Sequence, residues 1–169
     1  MKYVIPFLFL AIAAQGAVVR LAPEFTFPGP GNKAQTLHSL RGQPVVLVIA
    51  NSSKSKALKK QLVWLRDLYQ AFASRKAVFI AAYKNGAEPV QSNIPFALAN
   101  NGAAVAAAYG VNGDFALVII GKDGNIDYET VNPQTPQRIR DVMQNSFEIQ
   151  AASRKTTPVG PITAPKPQE

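Results

Sequence analysis

Three unbroken apolar runs set the architecture of this chain: Pro44 to Ala50, Ala77 to Tyr83 and Phe115 to Ile120. A half-buried strand alternates apolar and polar residues, whereas a continuous run buries both of its faces. The first run is rich in valine and bounded by Gly42 and Pro44, and Asn85-Gly86 ends the second. All three are therefore expected to be strands at the centre of a sheet covered on both sides.

What lies between them fixes how they connect. After Ala50, any of Ser52, Ser53 or Ser55 can cap a helix. Along that helix Leu58, Leu62, Leu65, Leu68 or Tyr69, and Phe72 recur at helical spacing, while Lys56, Lys59, Lys60, Arg66 and Asp67 fall mostly on the other side. Strand, long helix, strand implies a parallel pair joined by a right-handed crossover. Ile94 to Leu98 reads as a short strand, and Ala103 to Tyr109 as an alanine-rich helix stopped by Gly110. Lys122-Asp123-Gly124 turns the third run into an antiparallel hairpin with Ile126 to Thr130. Pro133 and Pro136 open a last helix that runs to about Phe147. Ahead of all this, Ala22 to Asn32 is an extended lead-in with one strand at Glu24 to Phe27, and Thr36 to Arg41 is a connector. The expected fold class is α/β: a sandwich of one central mixed sheet with helices on both faces.

The chain of 169 residues suits one domain with extensions. Lys2, the apolar stretch Val4 to Ala14 and the small residues of Ala14-Gln15-Gly16 read as a signal peptide over residues 1–16. The competing reading is an uncleaved anchor, but the apolar stretch falls short of the about 20 residues that span a bilayer. No cysteine follows it, which excludes lipoprotein anchoring. The mature protein is expected to begin near Ala17 and to be periplasmic or secreted, or else membrane-tethered through that segment. Residues 17–150 form the domain. Residues 151–169 hold Pro158, Pro161, Pro165 and Pro167 with no aromatic residue, and read as a flexible tail or as a docking segment for a partner or envelope polymer.

Cysteine is absent from the whole sequence. In an exported compartment disulfides form freely, so this domain relies on its core alone and has neither thiol nucleophile nor thiolate ligand. The formal charge is +8 and the pI about 9.9, which permits acidic partners. The basic residues are scattered, with no aromatic-interleaved stripe, so nucleic acid is not an expected partner. His38 is the single histidine, no Gly-x-Ser-x-Gly elbow exists, and His38 is expected at the surface. With one histidine and no dense carboxylate cluster, no metal or other cofactor is expected. Asp123 and Asp127 flank a hairpin turn, where aspartate serves the backbone. Gly110-Val111-Asn112-Gly113 lacks the lysine-serine pair of a phosphate loop. Trp64 reads as a packing residue.

Phe25 to Phe27, Leu37 to Gly42, Val45 to Val48, Leu68 to Phe72, and Tyr109-Gly110-Val111 through Ile120 and Asp123-Gly124 resemble, in order and spacing, the exported thioredoxin-like group. That group includes the alkyl hydroperoxide reductase and thiol-specific antioxidant proteins and the membrane-tethered thiol–disulfide oxidoreductases. The resemblance covers roughly Ala22 to Phe147. It implies a thioredoxin-like sandwich and an oxidoreductase or antioxidant ancestry. It places the family's Cys-x-x-Cys on Ser55-Lys56-Ala57-Leu58, and the family's cis-proline within Val111-Asn112-Gly113-Asp114-Phe115, which has no proline. Ser55, Leu58 and Phe115 thus mark a degenerate redox site with no catalytic residue left, since an unassisted hydroxyl is not ionised near neutral pH.

Beside it, Ser52, Ser53, Lys54 and Lys56 surround the expected helix start. A helix N-terminus offers free N–H groups and partial positive charge, so these residues form a candidate anion site, with Phe115 as its expected apolar wall. The alternative is a solvated basic face. The sequence leads to a non-catalytic binding or interaction module, its partner a protein, an anionic small molecule or an envelope polymer. Two alternatives remain: a redox enzyme acting through unrecognised groups, and a structural protein of the cell envelope.

Overall fold

The computed structural model of the chain describes residues 20–73 and 76–145. The expected signal peptide, the tail and the end of the last helix at Phe147 lie outside the described residues. A two-stranded ribbon, β1 (Thr26–Pro28) with β2 (Ala34–Thr36), precedes a five-stranded sheet. That sheet contains β3 (Val45–Ala50), β4 (Val78–Tyr83), β5 (Phe96–Leu98), β6 (Phe115–Ile120) and β7 (Ile126–Thr130), in the order β5-β4-β3-β6-β7. The helices are α1 (Lys56–Ala73), α2 (Gly102–Ala108) and α3 (residues 136–145).

The three apolar runs occupy β3, β4 and β6. β3 pairs in parallel with β4 and antiparallel with β6. Successive side chains point to opposite faces of a strand, and here both faces are dry. Val45, Leu47 and Ile49 join Phe25, Phe27, Leu37, Leu40 and the α2 residues Val105 and Ala106 on one side. Val46, Val48 and Ala50 join Leu58 and Leu65 of α1 and Ile139 and Met143 of α3 on the other. Fully burying one such aliphatic side chain contributes about 1.5–3 kcal/mol. The expected central mixed sheet with helices on both faces is the observed architecture.

Differences lie at the short elements. The lead-in strand starts at Thr26 rather than Glu24, and pairs with Ala34–Thr36 within what reads in sequence as a turn and connector. Gly31 and Asn32 make the turn with positive φ of 69° and 58°. The connector holds a 3-10 helix, Leu37–Leu40, and the Glu24 carboxylate accepts the His38 N–H at 3.1 Å. Pro133 lies ahead of α3; Pro136 is its first residue. Thr135 caps it, its carbonyl accepting the Ile139 N–H at 3.2 Å and its Oγ1 the Arg138 N–H at 3.4 Å.

Two contacts fix the positions of the helices. Gln61 of α1 is fully buried. Its Nε2 donates to the Gln134 carbonyl at 3.1 Å, and its Oε1 accepts the Gln134 N–H at 2.7 Å. The paired bonds tie α1 to the segment leading into α3. On the other face, Asn101 caps α2, its Oδ1 accepting the Ala104 N–H at 3.0 Å, and nothing larger than Gly102 fits at the first helical position: a Cβ there would lie 2.1 Å from the Tyr83 carbonyl oxygen. Among the described residues, no helix is long and apolar enough to cross a membrane.

Candidate functional site

Sheet register gathers three loops at one end of the molecule. β3 ends at Ala50, which pairs with Tyr83 at the end of β4 and with Phe115 at the start of β6. The chain leaving β3 therefore meets the loop after β4 and the loop before β6. Backbone bonds fasten them: Asn51 N–H to the Asp114 carbonyl at 2.9 Å, Lys84 N–H to the Ala50 carbonyl at 2.9 Å, and Asn85 N–H to the Asn51 carbonyl at 2.9 Å. The Asn85 amide also donates to Asn51 Oδ1 at 2.8 Å, and Lys84 Nζ to the Gly113 carbonyl at 2.7 Å.

Of the three possible caps for α1, Ser55 is the one used. Its carbonyl accepts the Lys59 N–H at 3.0 Å and its Oγ the Leu58 N–H at 3.5 Å. Ser52 instead folds the preceding turn, its carbonyl accepting the Ser55 N–H at 3.1 Å and its Oγ the Lys54 N–H at 3.3 Å. Ser53 donates its hydroxyl proton to the Glu88 carboxylate. The N–H groups of Lys56 and Ala57, in the first turn, have no partner within the helix.

Two clefts flank the Ser52–Lys54 turn. One, of about 250 Å³, is lined by Ser52, Ser53, Lys54, Tyr83, Asn85, Gly86 and Glu88. The other, of about 380 Å³, is lined by Asn51, Ser52, Lys54, Ser55, Lys56, Ala57 and Asp114. A wider hollow of about 580 Å³ runs along α1 past Lys59, Leu62, Val63 and Arg66 to Gln91–Asn93, and includes none of the expected site residues.

Tyr83 is the anomaly in the first cleft. The residue is 2% exposed, and its hydroxyl has no hydrogen-bond partner among the described residues. Leaving such a group unpaired costs about 1–3 kcal/mol. Burial, and then the nearby Glu88 carboxylate, push its pKa upward, so the phenol keeps its proton.

The expected anion residues Ser52, Ser53, Lys54 and Lys56 do come together around these clefts. The expected redox positions divide differently. Ser55 is committed to capping, and Leu58 is 1% exposed inside the core. Phe115, expected as an apolar wall, is 3% exposed in the same cluster as Leu58 and Tyr83, and lines neither cleft. Strand alternation turns it toward the core, and its neighbour Asp114 takes the wall instead. Both clefts thus carry a carboxylate, Glu88 or Asp114, as well as Lys54.

Sequence reasoning missed Tyr83, Glu88 and Asp114. Tyr83 ends an apolar run, and its polar tip beside Asn85-Gly86 was the one available signal. His38 is exposed in the Leu37–Leu40 helix, which packs on the opposite face of the sheet. Trp64 is half-buried, with Lys60 Nζ 4.7 Å from its ring centroid. Among the described residues, no group of three or more histidine, aspartate or glutamate side chains could hold a metal ion.

The AhpC/TSA family profile matches residues 18–129. Solved structures share the fold. Thioredoxin peroxidase I from Plasmodium yoelii aligns at 18% identity and a TM-score of 0.60, covering 89% of this chain and 100% of that one. Peroxidoxin BcpB from Mycobacterium tuberculosis aligns at 17% identity and 0.56, covering 78% and 96%. The thioredoxin domain of a thiol-disulfide oxidoreductase from Bacteroides vulgatus aligns at 16% identity and 0.57, covering 77% and 94%. No curated protein matches.

Proposed function

The chain belongs to the AhpC/TSA family, and on that premise we propose that it is an exported, non-catalytic member that binds a ligand at the start of α1. One observation carries this reading. At the two positions where the family resemblance puts the reactive thiols stand a serine whose hydroxyl caps a helix and a leucine sealed in the core. Neither can form the thiolate on which the family's redox chemistry depends. The loops around them remain open as two polar clefts with lysines, hydroxyls and carboxylates. Fold alone does not transmit function; what persists here is a place for a ligand. The export reading rests on the signal-like residues 1–16. The partner classes are a protein, an anionic small molecule, or an envelope polymer.

The test is direct. Purified protein is assayed for peroxide consumption and for insulin-disulfide reduction beside a cysteine-containing thioredoxin. The expected result is no rate above buffer in either assay. Turnover in either would overturn the binding-module reading and favour a redox enzyme working through other groups.

A further inference from the structure

The cleft beside Glu88 is lined by two opposite charges and by a tyrosine whose hydroxyl nothing among the described residues satisfies. Tyr83 lines it, 2% exposed, with an unpartnered Oη. Buried tyrosine hydroxyls are ordinarily bonded. A cleft of about 250 Å³ far exceeds the roughly 30 Å³ share of one water. Glu88 accepts from Ser53 through Oε2, and no hydrogen bond reaches its Oε1 among the described residues. Lys54 is exposed and forms no ion pair among them.

Charge narrows the ligand. A bare anion is drawn by Lys54 and the N-terminal end of α1, but meets the Glu88 carboxylate. A bare cation meets the reverse. A molecule that carries both charges close together meets a partner at each wall. We propose that this cleft binds a small zwitterion, a free α-amino acid, with its ammonium on Glu88 and Tyr83 Oη and its carboxylate on Lys54. An ammonium has three protons to place, and the two Glu88 carboxylate oxygens and the Tyr83 hydroxyl, on residues that line the cleft, are three acceptors. Because the Ser53–Glu88 bond joins the two loops that wall the cleft, the ammonium takes over the carboxylate from Ser53 as it enters. The inference rests on the binding-module reading and adds the chemistry of the ligand.

Full-length protein, isotope-labelled, is titrated with alanine, N-acetylalanine and alanine methyl ester, and amide shifts in the 51–57 and 84–90 loops are followed. Alanine is expected to bind, and each derivative, lacking one charge, to bind about tenfold more weakly or worse. Tyr83→Phe and Glu88→Gln are each expected to weaken alanine several-fold with the remaining spectrum unchanged. Ser53→Ala is expected to bind alanine at least as well as the wild type, because it frees Glu88. If N-acetylalanine binds as well as alanine, the site is an anion site; if the ester does, it is a cation site. Either outcome overturns the zwitterion and leaves the binding module standing. No shift in these loops with any of the three probes means that the cleft holds water only, and overturns the inference. The peroxide and disulfide assays decide the binding-module reading separately.

Discussion

Tyr109 and Tyr83 are each 2% exposed, on opposite sides of the same sheet, and their hydroxyls meet opposite fates. Tyr109 donates to the Pro23 carbonyl at 3.1 Å, and its ring meets Phe25 edge-on with centroids 6.3 Å apart. Arg20, paired with Glu129 at 2.7 Å, reaches the Tyr109 carbonyl at 3.5 Å. That region is stitched: one tyrosine joins the lead-in to the end of α2. Tyr83 has the same burial, its hydroxyl has no partner among the described residues, and it lies against a cleft. The fold is thus able to satisfy a buried phenol where the role is structural. Its failure to do so near the start of α1 is what the proposed ligand would make good.

The largest expected effect comes from breaking the seat that both regions share. Gly102→Ala forces a methyl group into the Tyr83 backbone, and a loss of about 3 kcal/mol is expected in urea denaturation. A loss below about 1 kcal/mol would mean that α2 is not held against β4 as described. Next is Gln61→Ala, on the same face as Tyr83. It strands the Gln134 N–H and carbonyl, for an expected loss of about 2 kcal/mol. That result would show that the α1 face pairs its polar groups elsewhere, so that Tyr83 is the exception rather than the rule for that face.

The sharpest contrast is the smallest in size. Tyr109→Phe is expected to cost about 1 kcal/mol, whereas Tyr83→Phe, which removes an unpaired hydroxyl, is expected to cost nothing or to stabilise. Equal losses in the two variants would erase the comparison. Alkaline pH adds a second reading of the same pair. Burial raises both pKa values, helped by Glu24 at Tyr109 and by Glu88 at Tyr83. The folded state thus holds its phenol protons above the ordinary tyrosine pKa of about 10. Their contribution is complete below that pH and is lost as pH rises beyond it. The fall in stability between about pH 9 and about pH 11 is expected to be smaller in Tyr109→Phe than in the wild type.

Legibility in the sequence followed the length of the signal. β3 and β6 were plain because every residue in each is apolar and buried. α1 was plain because Leu58, Leu62 and Leu65 keep helical spacing. The β1–β2 ribbon has three residues per strand, too few for a period to show. Three serines precede α1, and only the path of the turn selects Ser55 as the cap. The cleft was half legible: Ser52, Ser53, Lys54 and Lys56 are contiguous enough to be noticed, but Glu88 belongs to a loop 35 residues from Ser53. Asp114 stands at the wall expected of Phe115 because side-chain direction at a strand start depends on register, which composition does not carry.

The place of β3 in the sheet has a consequence for how the chain is made. Val45–Ala50 contains no charge and no proline, and it needs neighbours on both edges. Synthesis delivers α1 and β4 soon after it, closing one edge. The other edge waits until Phe115–Ile120 has been translated. Through that interval the nascent chain displays an open, wholly apolar strand edge of the kind that joins to its like on other chains. The finished protein carries no sign of this hazard, because the strand most prone to aggregate is the one that both neighbours finally enclose.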